Sequence, residues 1–175
     1  MKYVIAALAI VATAACGGGS GGSTAPTPVT PPATPAAAIT ATGAGALVLH
    51  PSARSSWTFS LYTPIRIQET ASGTATWNYA RFAMFKNGIE IERGELGADI
   101  ISSPPSWANI AAQQNETYAL IFGYNSMDFD TIVLTLGFSD KKDGRQFTVQ
   151  ILGSTFDGVD VSLTPLSRPV GVHRL

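Results

Sequence analysis

Charged residues are scarce in this chain of 175 residues. They make up 13% of the sequence, about half of the share in an ordinary soluble protein, and the formal net charge is −1. The charges are scattered, so the sequence has neither the basic surface that a nucleic acid requires nor an acidic tail. We therefore expect no nucleic-acid partner.

Residues that carry catalysis or bind metals are also few. The single cysteine, Cys16, excludes a disulfide framework and any cysteine-rich zinc site. The two histidines, His50 and His173, are far apart in the sequence, and no GxSxG nucleophile motif is present. The sequence therefore predicts a protein that is not an enzyme and that uses no cofactor and no metal.

The hydrophobic run at the N-terminus is too short to span a membrane. Met1 and Lys2 form a short positive start, and residues 3–15 are all apolar or small. A helix of that length covers roughly 20 Å, whereas the hydrocarbon core of a bilayer is ~30 Å thick. The pattern predicts a removable export signal rather than a transmembrane helix.

The last two residues of this run and the cysteine that follows, Ala14-Ala15-Cys16, resemble the lipobox of bacterial lipoproteins. Thr13 stands where leucine is commonest in that motif. The resemblance implies that Cys16 carries a diacylglyceryl thioether and an N-acyl chain such as palmitate, which together anchor the protein to a membrane. Gly17 stands where an aspartate would indicate inner-membrane retention, which favours the outer membrane of the cell envelope. The alternative is an ordinary secretory signal whose cleavage site precedes a cysteine.

Residues 16–36 have the composition of a tether. They are rich in glycine and serine and then in proline and threonine, with no charge and with Val29 as the only large apolar side chain. Such a segment buries too little surface to offset its ordering entropy, so we expect it to be disordered. The sequence thus predicts a signal peptide over residues 1–15, a lipidated tether over 16–36 and a β domain over 37–175.

Beyond the tether, apolar residues recur with the period of two that is typical of half-buried strands. The apolar members of these runs are Trp57, Phe59 and Leu61; Ile89 and Ile91; Tyr118, Leu120, Phe122 and Tyr124; Ile132, Leu134, Leu136 and Phe138; and Phe147, Val149 and Ile151. Asn87-Gly88 and the stretch 140–144 are typical of hairpin turns. Strands joined by such turns, without crossover helices, predict an all-β antiparallel fold in two layers.

Two irregularities are expected within this pattern. The phase of the run 74–85 slips, which predicts a bulge near Ala80-Arg81 or a strand that crosses between the sheets, with a strand buried on both faces as the alternative. Residues 106–114 place several apolar side chains at helical spacing, which predicts a helix of at most two turns.

The domain resembles immunoglobulin-like β-sandwiches at two aromatic positions. Trp77 fits the core tryptophan of a central strand, and Tyr118 follows a loop similar to the approach of a tyrosine corner. The resemblance implies an antiparallel immunoglobulin-like β-sandwich. It implies no particular function, because function is not determined by such a fold.

Loop aromatics and acids are the candidate ligand-binding residues. Trp107, Tyr124 and Phe129 are placed near strand ends or in loops, where aromatic rings stack on sugars or anchor a protein partner. Asp128 and Asp130 suggest a calcium loop, but two carboxylates without EF-hand spacing favour a role in shaping the turn. For Trp107, a plug that closes the open end of the sandwich is favoured over a recognition role.

The expected function is therefore non-catalytic. We expect a lipoprotein of the bacterial cell envelope that presents a β-sandwich interaction or structural module to an envelope protein or a glycan. The alternative is a carbohydrate- or polymer-binding module that uses loop aromatics and calcium. A small envelope enzyme, or an inhibitor of one, is a third reading.

Overall fold

The computed structural model describes residues 33–53, 56–102, 104–126, 128–152, 159–161, 166, 168 and 170–175. The predicted signal peptide, the lipidation site Cys16 and most of the predicted tether lie outside the described residues. The strands are β1 (Ile39–Gly43), β2 (Leu47–Pro51), β3 (Phe59–Glu69), β4 (Ala75–Lys86), β5 (Ile89–Leu96), β6 (Asn109–Ile110), β7 (Asn115–Tyr124), β8 (Thr131–Asp140), β9 (Gln146–Leu152), β10 (Val159–Val161) and β11 (Gly171–Arg174). A helix, α1, spans Ala98–Ile101, and a 3-10 turn spans Pro105–Ala108. In the described part of the chain, no helix combines the length and apolar character needed to cross a membrane.

The strands form two sheets. The first has the order β10-β2-β3-β7-β11, with β1 also paired to β3, and the second has the order β5-β4-β8-β9, with β6 paired to the start of β4. Of the strand pairs within the described ranges, only β2 and β10 run parallel. The prediction of an all-β, mainly antiparallel sandwich is confirmed.

Aromatic side chains join the two sheets in the core. The fully buried Trp77 meets Tyr118 edge-on with ring centroids 5.4 Å apart, and it stacks on Phe138 at 6.2 Å. Phe82 meets Phe122 edge-on at 5.0 Å. Each such pair contributes about 1 kcal/mol of stability in addition to the contribution from the apolar area that it buries. The prediction that Trp77 is a core residue of a central strand is confirmed.

The bulge in β4 lies earlier than predicted. Trp77 keeps its register with β8, but Tyr79 rather than Asn78 lies opposite Gly137, so Asn78 is the extra residue. The Trp77 Nε1–H donates a hydrogen bond to the Tyr79 carbonyl at 2.9 Å, which fixes the bulged backbone. The predicted position near Ala80-Arg81 is therefore wrong, because the indole stabilises the irregularity next to itself.

The two isoleucines of β5 do not face the core. Ile89 is 70% exposed and Ile91 is 41% exposed, whereas Leu96 is buried. Glu92 lies opposite Met84 and Glu90 lies opposite Phe85, so Ile91 is the extra residue of a bulge in β5. The strand itself is confirmed, but the bulge interrupts its alternation at Ile91, and neither isoleucine is buried.

Both predicted hairpin turns are confirmed. Asn87 and Gly88 have φ values of 52° and 76°, as a type I′ turn between β4 and β5 requires. Between β8 and β9, Gly144 has a φ of 74°, and its N–H donates to the Asp140 carbonyl at 2.9 Å.

The predicted helix over 106–114 is wrong. Only the 3-10 turn forms, and the chain then enters β6, whose Ile110 pairs with Ala75 of β4. Gln113 has a φ of 57°, which a right-handed helix does not allow. The helix does not form because residues 109 and 110 pair with β4 instead, and no side chain, Ser106 included, caps the short 3-10 turn.

Glu69, at the end of β3, is a buried carboxylate that organises the turn after it. Its Oε1 accepts hydrogen bonds from the backbone N–H groups of Ala38, Ala71 and Gly73 at 3.2, 2.9 and 3.1 Å. Its Oε2 accepts one from the N–H of Gln113 at 2.9 Å. Burial alone would raise the pKa of this carboxyl, but the four amide donors outweigh it and hold the pKa below its ordinary value.

Asp140, at the end of β8, holds Ala37, which directly precedes the Ala38 held by Glu69. Its Oδ2 accepts a hydrogen bond from the Ala37 N–H at 2.9 Å, and its Oδ1 accepts one from the Lys142 N–H at 2.8 Å. The amides of Lys142 and Ala37 lower the pKa of the carboxyl. Carboxylates from both sheets thus fix the backbone at residues 37 and 38.

Strand direction gives the sandwich two distinct ends. At one end, which we call the entry end, β3 finishes at Glu69, β8 finishes at Asp140, β4 starts at Ala75, and Ala37 is held. At the other, the far end, β4 finishes at Lys86, β7 finishes, and β3 and β8 begin. The length of β4 separates the two ends by roughly 35 Å.

Candidate functional site

The predicted site residues fall at both ends of the sandwich. Tyr124, Asp128, Phe129 and Asp130 lie at the far end, where β7 leads into β8. Trp107 lies in the 3-10 turn before β6, and β6 pairs with the start of β4 at the entry end. The structure therefore brings four of the candidates together and separates Trp107 from them.

The two aspartates hold their loop against the β4–β5 hairpin. Asp128 Oδ1 lies 2.7 Å from Lys86 Nζ, and this partner raises the pKa of the lysine. Asp130 Oδ2 accepts a hydrogen bond from the Asn87 N–H at 2.8 Å, and its own N–H donates to the Phe85 carbonyl at 2.9 Å. Both carboxylates thus shape the loop. Within the described ranges, no group of three or more His, Cys, Asp or Glu side chains is arranged to hold a metal ion.

Neither Tyr124 nor Phe129 presents an open ring at this end. Tyr124 is 0% exposed, and its ring lies 5.5 Å from that of Phe59, centroid to centroid. Burial raises the pKa of its hydroxyl. Phe129 is half-buried and packs against the core. Tyr124 therefore belongs to the core, and its ring is not available to a ligand in this structure.

Trp107 is half-buried and packs against the core as well. We expect Trp107→Ala to lower the free energy of unfolding by about 2 kcal/mol, because a partly buried large side chain leaves a cavity when it is truncated. Thermal unfolding followed by circular dichroism checks this. A melting temperature within about a degree of the wild type would instead support a recognition role for the ring.

Trp57 is the aromatic side chain that the far end does expose. It is 40% exposed, and among the described residues it is the one aromatic in the set of exposed large hydrophobic side chains. Its indole lies on Gly123 of β7, where a Cβ would overlap the ring. Phe122 and Tyr124 point into the core, so Gly123 faces the other side of the sheet. Trp57 therefore lies flat on the outer face of the first sheet.

Sequence reasoning missed Trp57 because it alternates with Phe59 and Leu61, and this parity placed it on the core face. The available signal was in another strand. Gly123 interrupts an apolar run in β7, and a glycine inside a strand marks close approach of another group. The glycine did not indicate which ring approaches it.

Polar groups beside Trp57 are held in a fixed arrangement. The N–H and the Oγ1–H of Thr58 both donate to Asn125 Oδ1, at 3.1 and 3.2 Å. Glu92 reaches across from β5, and its two carboxylate oxygens accept hydrogen bonds from the N–H groups of Asn125 and Ser126 at 2.8 and 2.7 Å. The loop after β7 is thus fixed to both sheets next to the exposed indole.

A second aromatic-on-glycine pair lines a groove on the outer face of the second sheet. The groove has a volume of about 250 Å³, and its lining includes Asn78, Tyr79, Gly137, Gln146 and Thr148. The Tyr79 ring lies on Gly137, where a Cβ would overlap it.

The open face of this second ring is covered. The guanidinium carbon of Arg81 lies 5.2 Å from the Tyr79 ring centroid, and Arg81 is itself paired with Glu95 at 2.5 Å. Tyr79 is therefore half-buried with a neighbour on each face, whereas Trp57 is 40% exposed. The Trp57 surface, comprising Trp57, Thr58, Asn125 and the Gly123 beneath the ring, is the candidate functional site.

No protein-family model matches the chain, and a search of curated proteins found no match either. The candidate site is therefore defined by geometry and chemistry.

Proposed function

We propose that the chain is a non-catalytic lipoprotein of the bacterial cell envelope whose β-sandwich presents the Trp57 surface to an envelope partner. The observation that carries this proposal is the separation of the two ends. The N-terminal segment is held by Glu69 and Asp140 at the entry end, whereas Trp57 lies at the far end. Within the sandwich, the length of β4 places the Trp57 end roughly 35 Å from the end at which residues 37 and 38 are held.

The sequence supplies the anchor in this proposal. The stretch that ends at Cys16 resembles a lipobox, and several long acyl chains at about 0.8 kcal/mol per buried CH₂ make a practically permanent attachment. The glycine- and proline-rich residues that follow supply reach. Gly17 favours the outer membrane as the destination.

A non-catalytic role is supported by how the buried acids are used. Glu69 and Asp140 turn their oxygens towards backbone N–H groups, and their pKa values are lowered rather than raised. A general acid needs a pKa raised towards neutrality and an accessible proton. These carboxylates instead stay ionised and structural.

The test of this proposal is replacement of the lipidation site in a bacterial host with two membranes. We expect the wild-type protein to partition into detergent and to sediment with outer-membrane fractions. The Cys16→Ser variant is expected in the aqueous phase, because it has no thiol to acylate. Mass spectrometry of the N-terminal peptide is expected to show the added diacylglyceryl and acyl groups on the wild type alone.

Ser20→Ala is the matched control, since it changes a small residue in the same tether and leaves the thiol in place. It is expected to partition like the wild type. Recovery of the wild-type protein without lipid in the aqueous phase would contradict the proposal.

A further inference from the structure

We propose that the Trp57 surface is a subsite for one pyranose ring of a β-1,4-linked, gluco-configured polysaccharide. This inference rests on the proposed function and names the chemistry of its partner. It combines the exposed indole over Gly123 with the fixed polar groups of Thr58 and Asn125.

The seating of the indole supplies a flat apolar platform. Gly123 has no Cβ, so the Trp57 ring can lie against the backbone of β7, and Trp57 remains 40% exposed. A pyranose whose hydroxyls are all equatorial presents a flat face of C–H bonds. Such a face packs on an indole and covers the apolar area that water otherwise contacts.

The neighbouring polar groups supply direction. Asn125 Oδ1 is engaged by both donors of Thr58, so the orientation of this side-chain amide is fixed. An asparagine amide carries two N–H donors in addition to its oxygen, and sugar hydroxyls accept from such donors. Glu92 fixes the backbone that carries the amide, so little ordering entropy is lost on binding.

A cross-strand row extends this surface across the first sheet. His50 lies opposite Ser60, and Ser60 lies opposite Gly123, so the three positions share the outer face beside the indole. Tyr62, half-buried, lies on the same face one row further along β3. Ser60 is itself buried beside the indole, so Trp57 supplies the exposed contact for one sugar, and half-buried Tyr62 places a second aromatic ring on the same face for a neighbouring sugar.

The surroundings favour a sugar over a protein. A stable protein interface buries about 800 Å² on each partner and has several clustered apolar anchors. The other large exposed apolar side chains in the described part of the molecule are Ile89, Ile91, Leu152 and Leu175, and none of them belongs to β2, β3 or β7 beside Trp57. Three of them lie in β5 and β9 of the second sheet, and Leu175 bonds through its N–H to Thr117 near the entry end.

The test uses the detergent-solubilised full chain and calorimetry with cellohexaose and chitohexaose, with maltohexaose as the α-linked control. We expect dissociation constants on the order of 100 µM for the β-linked sugars and at least roughly tenfold weaker binding for maltohexaose. Trp57→Ala is expected to weaken binding of the β-linked sugars at least roughly tenfold. Ile89→Ala, an exposed apolar change in the other sheet, is expected to leave binding unchanged.

Two further variants keep the test decisive if Trp57→Ala fails to fold. Trp57→Phe retains a smaller ring, and Thr58→Ala removes one donor to Asn125; each is expected to weaken binding several-fold with the melting temperature nearly unchanged. Failure of both β-linked hexasaccharides to bind would overturn the inference. Equal binding of maltohexaose, or binding that none of the Trp57 and Thr58 variants changes, would overturn it too.

The source of the polysaccharide is distinguished by pull-down. We expect purified peptidoglycan sacculi to retain the protein, because the proposed partner belongs to the envelope. Insoluble chitin and cellulose also contain β-1,4-linked gluco-configured rings, and retention on these alone would contradict an envelope source. We expect Trp57→Ala to lose sugar binding but to partition into detergent like the wild type. We expect Cys16→Ser to leave the detergent phase but to bind the sugars like the wild type. The two proposals therefore fail separately.

Discussion

The Glu69→Gln variant is expected to unfold with a free energy about 3 kcal/mol lower than that of the wild type. The carboxylate is 2% exposed and accepts four backbone hydrogen bonds, which an amide cannot replace. A glutamine amide places its own N–H₂ against at least one of these donors, so that a buried N–H loses its acceptor. Denaturation in urea, followed by tryptophan fluorescence, measures the change.

The same residue makes stability depend on pH in a defined direction. The pKa of Glu69 in the folded protein lies below its ordinary value of 4.5, so the folded state binds this proton less tightly than the unfolded chain does. The stabilisation is therefore present above pH 4.5 and is lost as the pH falls through the lower, folded value. Asp140 acts in the same sense from its ordinary value of 3.8.

Glu95→Gln is the matched control, since its side chain is 44% exposed and pairs with Arg81 at the surface. It is expected to change stability by less than about 1 kcal/mol. In acid, the wild type is expected to lose stability more steeply than Glu69→Gln does. If the free energy of unfolding fell equally with pH in the wild type and in Glu69→Gln, Glu69 would not act as an ionised acceptor.

The Trp77→Ala variant is expected to lose about 4 kcal/mol of stability, the usual cost of removing a fully buried tryptophan. The indole is 0% exposed, contacts Tyr118 and Phe138, and donates to the Tyr79 carbonyl within the bulge. Its removal leaves a cavity and frees a backbone acceptor. Scanning calorimetry is expected to show the transition at least roughly 10 °C lower.

Trp57→Ala provides the comparison for Trp77→Ala, because it deletes the same atoms from a surface position. It is expected to cost less than about 2 kcal/mol. If the two variants were equally unstable, Trp57 would be a packing residue, and its exposed area would have no special meaning.

Sequence reasoning predicted the architecture because the fold repeats simple local signals. Alternation along β8 and the two turns at Asn87-Gly88 and Asp140–Gly144 each specify strand or turn without reference to distant residues. Trp77 was recognisable as a core residue for the same reason. Whether the arrangement is immunoglobulin-like in detail stays a prediction.

The errors occur where a distant group decides the local outcome. The bulge lies at Asn78 because the Trp77 indole donates a hydrogen bond to the Tyr79 carbonyl. The predicted helix over 106–114 does not form because β6 pairs with β4. Ile91 is exposed where the pairing of β5 with Met84 and Phe85 of β4 shifts register and leaves it as the extra residue. Periodicity specifies alternation but does not specify which side is buried.

The candidate site was predicted only in its location at loops near strand ends. The aspartates at 128 and 130 and the ring of Phe129 lie at the far end, but their partners make them parts of the loop. The exposed ring is Trp57, whose placement depends on Gly123 in a strand more than sixty positions later. A contact of that separation has no local signature.

The pairing of β3 with β7, and of β4 with β8, has a consequence for how the chain reaches this structure. Leu61 lies opposite Phe122 and Ala80 lies opposite Leu136, so each central pairing closes a loop of roughly sixty residues. Sheets with such high contact order fold in milliseconds to seconds rather than microseconds. The central strands therefore remain unpaired for longer after synthesis than the strands or helices of a fold built from local contacts.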